Sequence, residues 1–171
     1  MTRNLIVAPA RVRRMLTRLA YEIVERNRGA ENLDLVGILR RGPAVANAIA
    51  REIEAIEHRE FVVHELDVTP NRDDRVSSAH VEDESIIHSD ISERDVVLID
   101  DVLFTGRTAR AALDGLINYG RPRTIQLVVL VDRGHREYPI QPDYLGHFLQ
   151  TKHRERVVVD VDEGFAIYIE E

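Results

Sequence analysis

The chain has 171 residues, of which 44% are hydrophobic and 31% are charged, a balance typical of one globular domain over residues 1–171. It contains no cysteine, which excludes disulfides, thiolate metal ligands and a cysteine nucleophile. The net charge of −7 argues against a generally basic nucleic-acid-binding surface, and no apolar run approaches the length of a membrane span, so we expect a cytoplasmic protein without membrane contact.

The first half of the chain alternates between helix and strand patterns. Apolar residues at helical spacing predict a helix over residues 10–28, and a strand over 33–39 follows. The turn Arg40-Arg41-Gly42 then leads into a second helix, which Pro43 opens at a position that favours proline. Residues 61–66 predict another strand.

Residues 67–93 form a long polar stretch, which we interpret as a flexible catalytic loop. An arginine such as Arg72, within Asn71-Arg72-Asp73-Asp74, could close over a leaving group and exclude water from it. A solvated run of charges explains the same residues equally well.

The segment 96–108 carries the strongest functional signal. Residues 96–99 predict a buried strand, and the adjacent carboxylates Asp100 and Asp101 end that apolar run. The turn 104–108, Phe-Thr-Gly-Arg-Thr, then opens a helix whose N-terminal N–H groups can hold a phosphate. The apolar residues expected to carry that helix are Ala109, Ala112, Leu113, Leu116 and Ile117. Hydrogen-bond donors for a phosphate, next to two carboxylates that can bind hydroxyls or Mg²⁺, indicate a site for a ribose phosphate.

The last part predicts a strand over 124–131, a charged run over 132–137 and a β-hairpin formed by 157–161 and 165–169. Alternating strands and helices before a terminal hairpin indicate an α/β fold with a doubly wound, mainly parallel sheet flanked by helices and a small added subdomain.

Residues 96–108 resemble the signature that type I phosphoribosyltransferases use for phosphoribosyl pyrophosphate (PRPP). Residues 100–114, 120–122 and 126–137, the last containing Asp-Arg-Gly-His-Arg-Glu, resemble the PyrR family of bifunctional pyrimidine operon regulators and uracil phosphoribosyltransferases. The resemblance implies the type I fold with a small hood subdomain and C-terminal hairpin. It also implies the conversion of uracil and PRPP to UMP and pyrophosphate, with Mg²⁺ as the cofactor.

The resemblance assigns roles to individual residues. Asp100, Asp101 and Arg72 would be catalytic, and the two aspartates would hold the ribose hydroxyls directly or through Mg²⁺. The residues expected to bind PRPP or UMP are Arg40, Arg41, Val102, Leu103, Phe104, Thr105, Gly106, Arg107, Thr108 and Arg133.

A second implied role is binding of the leader of pyrimidine-operon mRNA, with affinity raised by UMP or UTP, in a homodimer or larger homo-oligomer. The residues that match the RNA-binding positions are Thr17, Arg18, His135 and Arg136. Arg11, Arg13 and Arg14 add to a basic cluster around Arg18, although an ordinary solvated helix face would contain the same residues.

Several residues depart from the family pattern. Arg40 stands in place of threonine, Pro70-Asn71 in place of Leu-Tyr, Tyr21 in place of histidine and His147 in place of lysine. These departures keep two alternatives open. One is a regulator of the same fold with little catalysis, and the other is a phosphoribosyltransferase for another base without an RNA role.

Overall fold

A computed structural model describes residues 2–74 and 81–171, so the middle of the expected catalytic loop, residues 75–80, lies outside the described residues. The helices are α1 (Pro9–Asn27), α2 (Gly42–Glu57) and α3 (Arg107–Leu116). The strands are β1 (Arg3–Val7), β2 (Leu33–Ile38), β3 (His64–Leu66), β4 (Asp95–Leu103), β5 (Thr124–Asp132), β6 (Tyr144–Phe148), β7 (Arg156–Asp160) and β8 (Ala166–Glu170).

The central sheet has five parallel strands in the order β3-β2-β4-β5-β6. Side chains alternate across it, because Val97 and Ile99 pack with α1 and α2 while Val96 and Leu98 pack with α3 on the other face. The sheet is therefore covered by helices on both sides, which confirms the predicted doubly wound α/β architecture. In the described part of the chain no helix is long and apolar enough to cross a membrane.

A smaller antiparallel sheet joins the two ends of the chain in the order β1-β8-β7. Strands β7 and β8 form the predicted terminal hairpin, and the N-terminal strand, which the sequence did not reveal, pairs with β8 from Arg3 opposite Glu170. This sheet borders the main cleft, since the carbonyl of Val159 accepts a hydrogen bond from Arg41 at 3.4 Å.

Close backbone packing fixes α2 against the sheet. A Cβ atom at Gly42 would lie 2.5 Å from the carbonyl oxygen of Ile99, and one at Gly37 would lie 2.5 Å from Cα of Pro43. Only glycine fits at either position, so the turn that precedes α2 is held beside the end of β4.

Two of the expected boundaries were wrong. Strand β3 begins at His64 rather than residue 61, since Val62 is 63% exposed and outside the sheet. Strand β4 continues through Leu103, so that Asp100 and Asp101 lie within the strand rather than after it.

The inward face of α3 also differs from the expectation. Leu113 and Ile117 are 40% and 70% exposed, and Ile117 lies in a 3₁₀ turn beyond the end of the helix. The small residues Ala109 and Ala112, together with Leu116, are the buried ones, because α3 lies close to the sheet.

Asp95 at the start of β4 predicts an acid-sensitive component of stability. Its buried carboxylate accepts hydrogen bonds from Arg123 and, at 2.8 Å, from the hydroxyl of Thr124. The hydrogen bond from Arg123 lowers the pKa of Asp95 to about 2. A lowered pKa stabilises the fold above the unfolded-state pKa, and the contribution disappears as the pH falls from about 4 to about 2.

We therefore expect Asp95→Asn to lower the free energy of unfolding at pH 7 by about 1–2 kcal/mol, less than the full shift because the Arg123 side chain is 59% exposed. In urea denaturation the difference from wild type should shrink at pH 3. The exposed Asp162→Asn serves as the control, and a difference that stays constant with pH would contradict the assignment.

Candidate active site

The main cleft is a cavity of about 530 Å³ at the carboxyl edge of the parallel sheet. Ligands of open α/β sheets bind at this edge. Seven of the residues predicted for catalysis or substrate binding line it together, namely Arg40, Arg41, Arg72, Asp100, Asp101, Val102 and Thr108. The turn after β2, the segment after β3 and the end of β4 thus converge as expected.

A smaller cavity of about 120 Å³ lies inside the turn between β4 and α3, which we call the anion turn (residues 104–108). Gly106 adopts φ +90°, a left-handed conformation that favours glycine, and it caps the N-terminus of α3. The N–H of Arg107 donates to the hydroxyl of Thr105 at 3.3 Å. The first N–H groups of a helix have no intrahelical acceptor, so those of Thr108 and Ala109 can bind a phosphate. Arg72, Asp100 and Thr108 border both cavities.

Asp100 and Asp101 are half-buried, and each is oriented by the backbone that follows it. The N–H of Asp101 donates to Oδ1 of Asp100 at 2.9 Å, and the N–H of Val102 donates to Oδ1 of Asp101 at 2.8 Å. Burial raises the pKa of Asp100 well above its usual range, and the adjacent charge of Asp101 raises it further. A cation or hydroxyl donors in the cleft would therefore stabilise the doubly ionised pair.

Two arginines approach the cleft from the turn after β2. Nη1 of Arg41 lies 3.9 Å from Oδ2 of Asp101 and also reaches the small sheet, as described above. Arg40 is 71% exposed in its side chain and forms an ion pair with Glu84 across the mouth of the cleft. Both guanidinium groups can thus meet an anion that enters from solvent.

Arg72 joins the two cavities. Its Nη1 donates to the hydroxyl of Thr108 at 3.2 Å, while Nε and Nη2 donate to the two carboxylate oxygens of Asp74 at 2.8 and 2.5 Å. The hydrogen bond that Arg72 donates to Asp74 raises the pKa of Arg72, so the guanidinium stays positively charged. The predicted catalytic arginine is therefore positioned between the anion turn and the main cleft.

The side chain of Arg107 leaves the anion turn, although its backbone belongs to it. Nε donates to Glu137 at 2.8 Å, and Nη1 donates to Asp73 at 3.1 Å and to the hydroxyl of Tyr138 at 2.9 Å. The guanidinium of Arg107, which was expected to bind phosphate, is thus hydrogen-bonded to Glu137, Asp73 and Tyr138. Phosphate binding by this side chain stays a prediction.

Arg133 and His135 pack behind the anion turn. The guanidinium of Arg133 lies 4.0 Å from the ring centroid of Phe104 and donates to the hydroxyl of Thr151 at 3.0 Å. The Nε2 atom of His135 lies 2.7 Å from the carbonyl oxygen of Thr151, and the Phe104 ring also contacts His153. These contacts tie the end of β5 to the anion turn.

The guanidinium of Arg136, one of the expected RNA contacts, points into the protein and is hydrogen-bonded there. It donates to both carboxylate oxygens of Asp132 at 2.8 and 2.5 Å, and to the carbonyls of Phe104 at 3.1 Å and Ile140 at 2.7 Å. This geometry gives Arg136 a role in supporting the anion turn, whereas RNA binding by this residue stays a prediction.

The other two expected RNA contacts lie on opposite sides of α1. Thr17 faces α2, where its hydroxyl lies 3.1 Å from a carboxylate oxygen of Glu52. Arg18 faces the edge strand β6 and donates to the carbonyls of Leu145 and Gly146 at 3.1 and 2.8 Å. Arg11, Arg14 and Arg18 line a groove of about 320 Å³ beside Gly146, which we call the basic groove.

Several residues that line the cleft were not predicted from the sequence, among them Asp67, Glu84 and Arg156. Asp67 accepts hydrogen bonds from the backbone N–H groups of Thr69 at 2.9 Å and Glu84 at 3.1 Å, and so joins the two ends of the polar stretch. Glu84 pairs with Arg40, and Arg156 lines the cavity from β7. Asp67 directly follows strand β3, so the rule that ligands bind at the carboxyl ends of parallel strands could have found it.

The family model for the phosphoribosyl transferase domain matches residues 7–162. The chain is 52% identical over 156 residues to "Bifunctional protein PyrR" of Bacillus mycoides, a match that covers 89% of this chain and 87% of the relative. It is 50% identical over 162 residues to the protein of the same name from Oceanobacillus iheyensis, with 92% and 90% covered.

Solved structures show the same fold at low sequence identity. The hypoxanthine phosphoribosyltransferase of Trypanosoma cruzi superimposes with a TM-score of 0.74 at 17% identity, covering 97% of this chain and 95% of that chain. A hypoxanthine-guanine phosphoribosyltransferase of Bacillus anthracis gives a TM-score of 0.73 at 18% identity, with 98% and 97% covered.

The raised pKa of Asp100 predicts that this side chain destabilises the ligand-free protein at high pH. The ionised form is disfavoured in the folded state, so the destabilisation appears as the pH rises through the raised pKa. Asp100→Asn should therefore increase the free energy of unfolding at pH 8 by about 0.5–2 kcal/mol, as removal of a strained functional group commonly does. The gain should shrink at pH 4, and Asp162→Asn provides the matched control. A loss of stability at pH 8 would contradict the prediction.

Proposed function

The chain belongs to the phosphoribosyltransferase family and, within it, to the PyrR family, and we propose on this basis that it converts uracil and PRPP to UMP and pyrophosphate. We propose further that it binds pyrimidine-operon mRNA as a homo-oligomeric regulator that responds to UMP and UTP. The observation that carries the catalytic part is the convergence of the anion turn, two carboxylates and three arginines on one cleft.

The reaction forms a bond between N1 of uracil and C1′ of the ribose. The bond between C1′ and the pyrophosphate oxygen breaks, pyrophosphate leaves with the electron pair, and N1 loses its proton. Positive charge develops on the sugar, so catalysis depends on positioning and charge stabilisation rather than on a protein nucleophile.

The cleft offers groups for each part of PRPP. The N–H groups at the start of α3 and the hydroxyls of Thr105 and Thr108 bind the 5′-phosphate. Arg40 and Arg41 bind pyrophosphate, for which forked guanidinium donors are well suited. Arg72 stabilises negative charge between these two ends of the substrate, and Asp100 and Asp101 orient the ribose.

Asp100 and Asp101 also fit Mg²⁺, which prefers oxygen ligands and keeps several non-protein ligands in its shell. Each carboxylate has one oxygen bonded to the backbone, which leaves the other available to the cleft. Among the described residues no cluster of three metal-binding side chains occurs, so the remaining ligands would come from water and PRPP. When bound, Mg²⁺ neutralises charge on the pyrophosphate oxygens.

We place the uracil ring near Arg133, where the end of β5 meets the anion turn. The N–H groups of Arg133 and Gly134 already donate to the carbonyl of Leu103 at 3.1 Å and to Asp132 at 3.0 Å, whereas the carbonyls of residues 132–134 can each accept a further hydrogen bond from the edge of uracil.

For RNA, the basic groove on α1 is the surface that we favour. Arg11, Arg14 and Arg18 are exposed there, and arginine donors suit phosphate oxygens. His135 and Arg136 are less accessible and support the anion turn, so they could influence RNA binding through nucleotide binding instead.

The catalytic proposal predicts uracil-dependent release of pyrophosphate from PRPP in the presence of Mg²⁺. Changing both Asp100→Asn and Asp101→Asn should lower kcat/KM by about two orders of magnitude, because orientation and charge stabilisation are lost together. Asp162→Asn should retain the wild-type rate. Equal rates for the double variant and wild type would refute the proposal, and turnover with another base but not uracil would identify a different transferase.

The RNA proposal predicts salt-dependent binding of a pyrimidine-operon leader through the basic groove. Arg18→Ala should weaken binding and lower the slope of log affinity against log salt by about 1, as expected for the loss of one phosphate contact. Arg121→Ala, an exposed arginine before β5, should leave both quantities unchanged. If Arg18→Ala and Arg121→Ala bind alike, the groove is not the RNA surface.

A further inference from the structure

We propose that Tyr138 is a positioning residue for PRPP, acting through Asp73 to hold Arg72 at the anion turn. The inference rests on the proposed function, since it concerns the same cleft. It assigns a role to Tyr138 and Asp73, which are outside the expected catalytic and substrate-binding set, and neither lines either of the two cavities of the site.

Three side chains form a closed cycle of hydrogen bonds, which we call the clasp. The hydroxyl of Tyr138 donates to Oδ2 of Asp73 at 2.7 Å, while Arg107 donates to that hydroxyl at 2.9 Å and to Oδ1 of Asp73 at 3.1 Å. The clasp therefore uses both oxygens of the carboxylate and both hydrogen-bonding functions of the phenol. The pKa of Tyr138 is raised, chiefly by its hydrogen bond to Asp73, so the phenol stays a donor.

Tyr138 is itself anchored to the anion turn. The backbone N–H groups of Glu137 and Tyr138 both donate to the carbonyl of Thr105, at 2.9 and 3.0 Å. A Cβ atom placed on Gly106 would lie 3.4 Å from Cβ of Tyr138, and the Arg107 guanidinium lies 4.8 Å from the centroid of the Tyr138 ring. The position of the phenol hydroxyl is thus set by the turn that binds phosphate.

The hydrogen bonds that fix Asp73 also restrict the position of its neighbour Arg72. The two residues are adjacent in sequence, and both bind the first turn of α3, Arg72 through Thr108 and Asp73 through Arg107. Without the clasp, the side-chain contacts that hold this segment among the described residues would be the hydrogen bond of Arg72 to Thr108, its pair with the near neighbour Asp74, and the pair of Asp73 with Arg110 at 3.4 Å. A small displacement of an anion-binding arginine has a large effect on binding and reaction.

A different role for the clasp would be to keep Arg107 away from phosphate. Under that reading Asp73 and Glu137 compete with the substrate for the guanidinium, and breaking the clasp would free a cation beside the anion turn. The two readings predict opposite changes in PRPP affinity.

The test measures the affinity for PRPP with Mg²⁺ by calorimetry, without a base, in four proteins: wild type, Tyr138→Phe, Arg72→Ala and the double variant. Tyr138→Phe removes both hydrogen bonds of the phenol, and only part of that loss reaches Arg72, so it should weaken binding about three- to tenfold and raise KM for PRPP similarly with kcat within about twofold. In the Arg72→Ala background, Tyr138→Phe should change the affinity less than twofold, since the residue through which it acts is absent.

Tyr168→Phe is the matched control, because it removes another exposed phenol bonded to a carboxylate, that of Glu163, in the small sheet. Equal effects of Tyr138→Phe with and without Arg72 would overturn the proposal, and tighter PRPP binding would establish the competing role of the clasp. If the wild type binds PRPP but does not convert uracil, the proposed function fails while the clasp is still tested. Absence of PRPP binding by the wild type would overturn both.

Discussion

The geometry of the cleft depends on how closely α2 approaches the central sheet. Gly42 leaves no room for a side chain above the carbonyl of Ile99, which directly precedes Asp100, and Gly37 leaves none beside Pro43. Contacts between backbone atoms cannot relax by a change of side-chain rotamer. The turn that carries Arg40 and Arg41 is therefore fixed relative to the two carboxylates. A transferase that works by placing two ends of one substrate needs this rigidity more than it needs any single reactive side chain.

The charges of the cleft explain why a polyanion would enter it together with a cation. Four arginines and five carboxylates line the main cavity, an arrangement with an excess of negative charge. The exposed pair of Arg40 and Glu84 is weak, as exposed ion pairs usually are, so an incoming phosphate can replace the carboxylate at little cost. The two aspartates cannot be replaced in this way, and their mutual repulsion is relieved by a cation, by hydroxyl donors or by protonation of Asp100, whose pKa is raised.

The sequence revealed the elements whose signals are local and missed those that depend on distant partners. The long apolar runs of β2, β4 and β5 and the periodic pattern of α1 were sufficient to predict the fold. Strand β1 is exposed along most of its length and forms only because β8, at the other end of the chain, pairs with it. For the site, residue types at strand ends correctly identified the cleft, but the direction of each guanidinium depends on partners far away in sequence, as Arg107 shows with Asp73.

The run at the end of β5 illustrates the same limit and has a structural consequence of its own. An arginine four residues after an aspartate could face solvent or RNA, but here Arg136 binds Asp132 and the carbonyl of Phe104. The end of β5 is thereby fastened to the anion turn, and β5 pairs in parallel with β6, whose carbonyls bind Arg18 of the basic groove. The anion turn and the basic groove therefore lie on opposite sides of the same two strands.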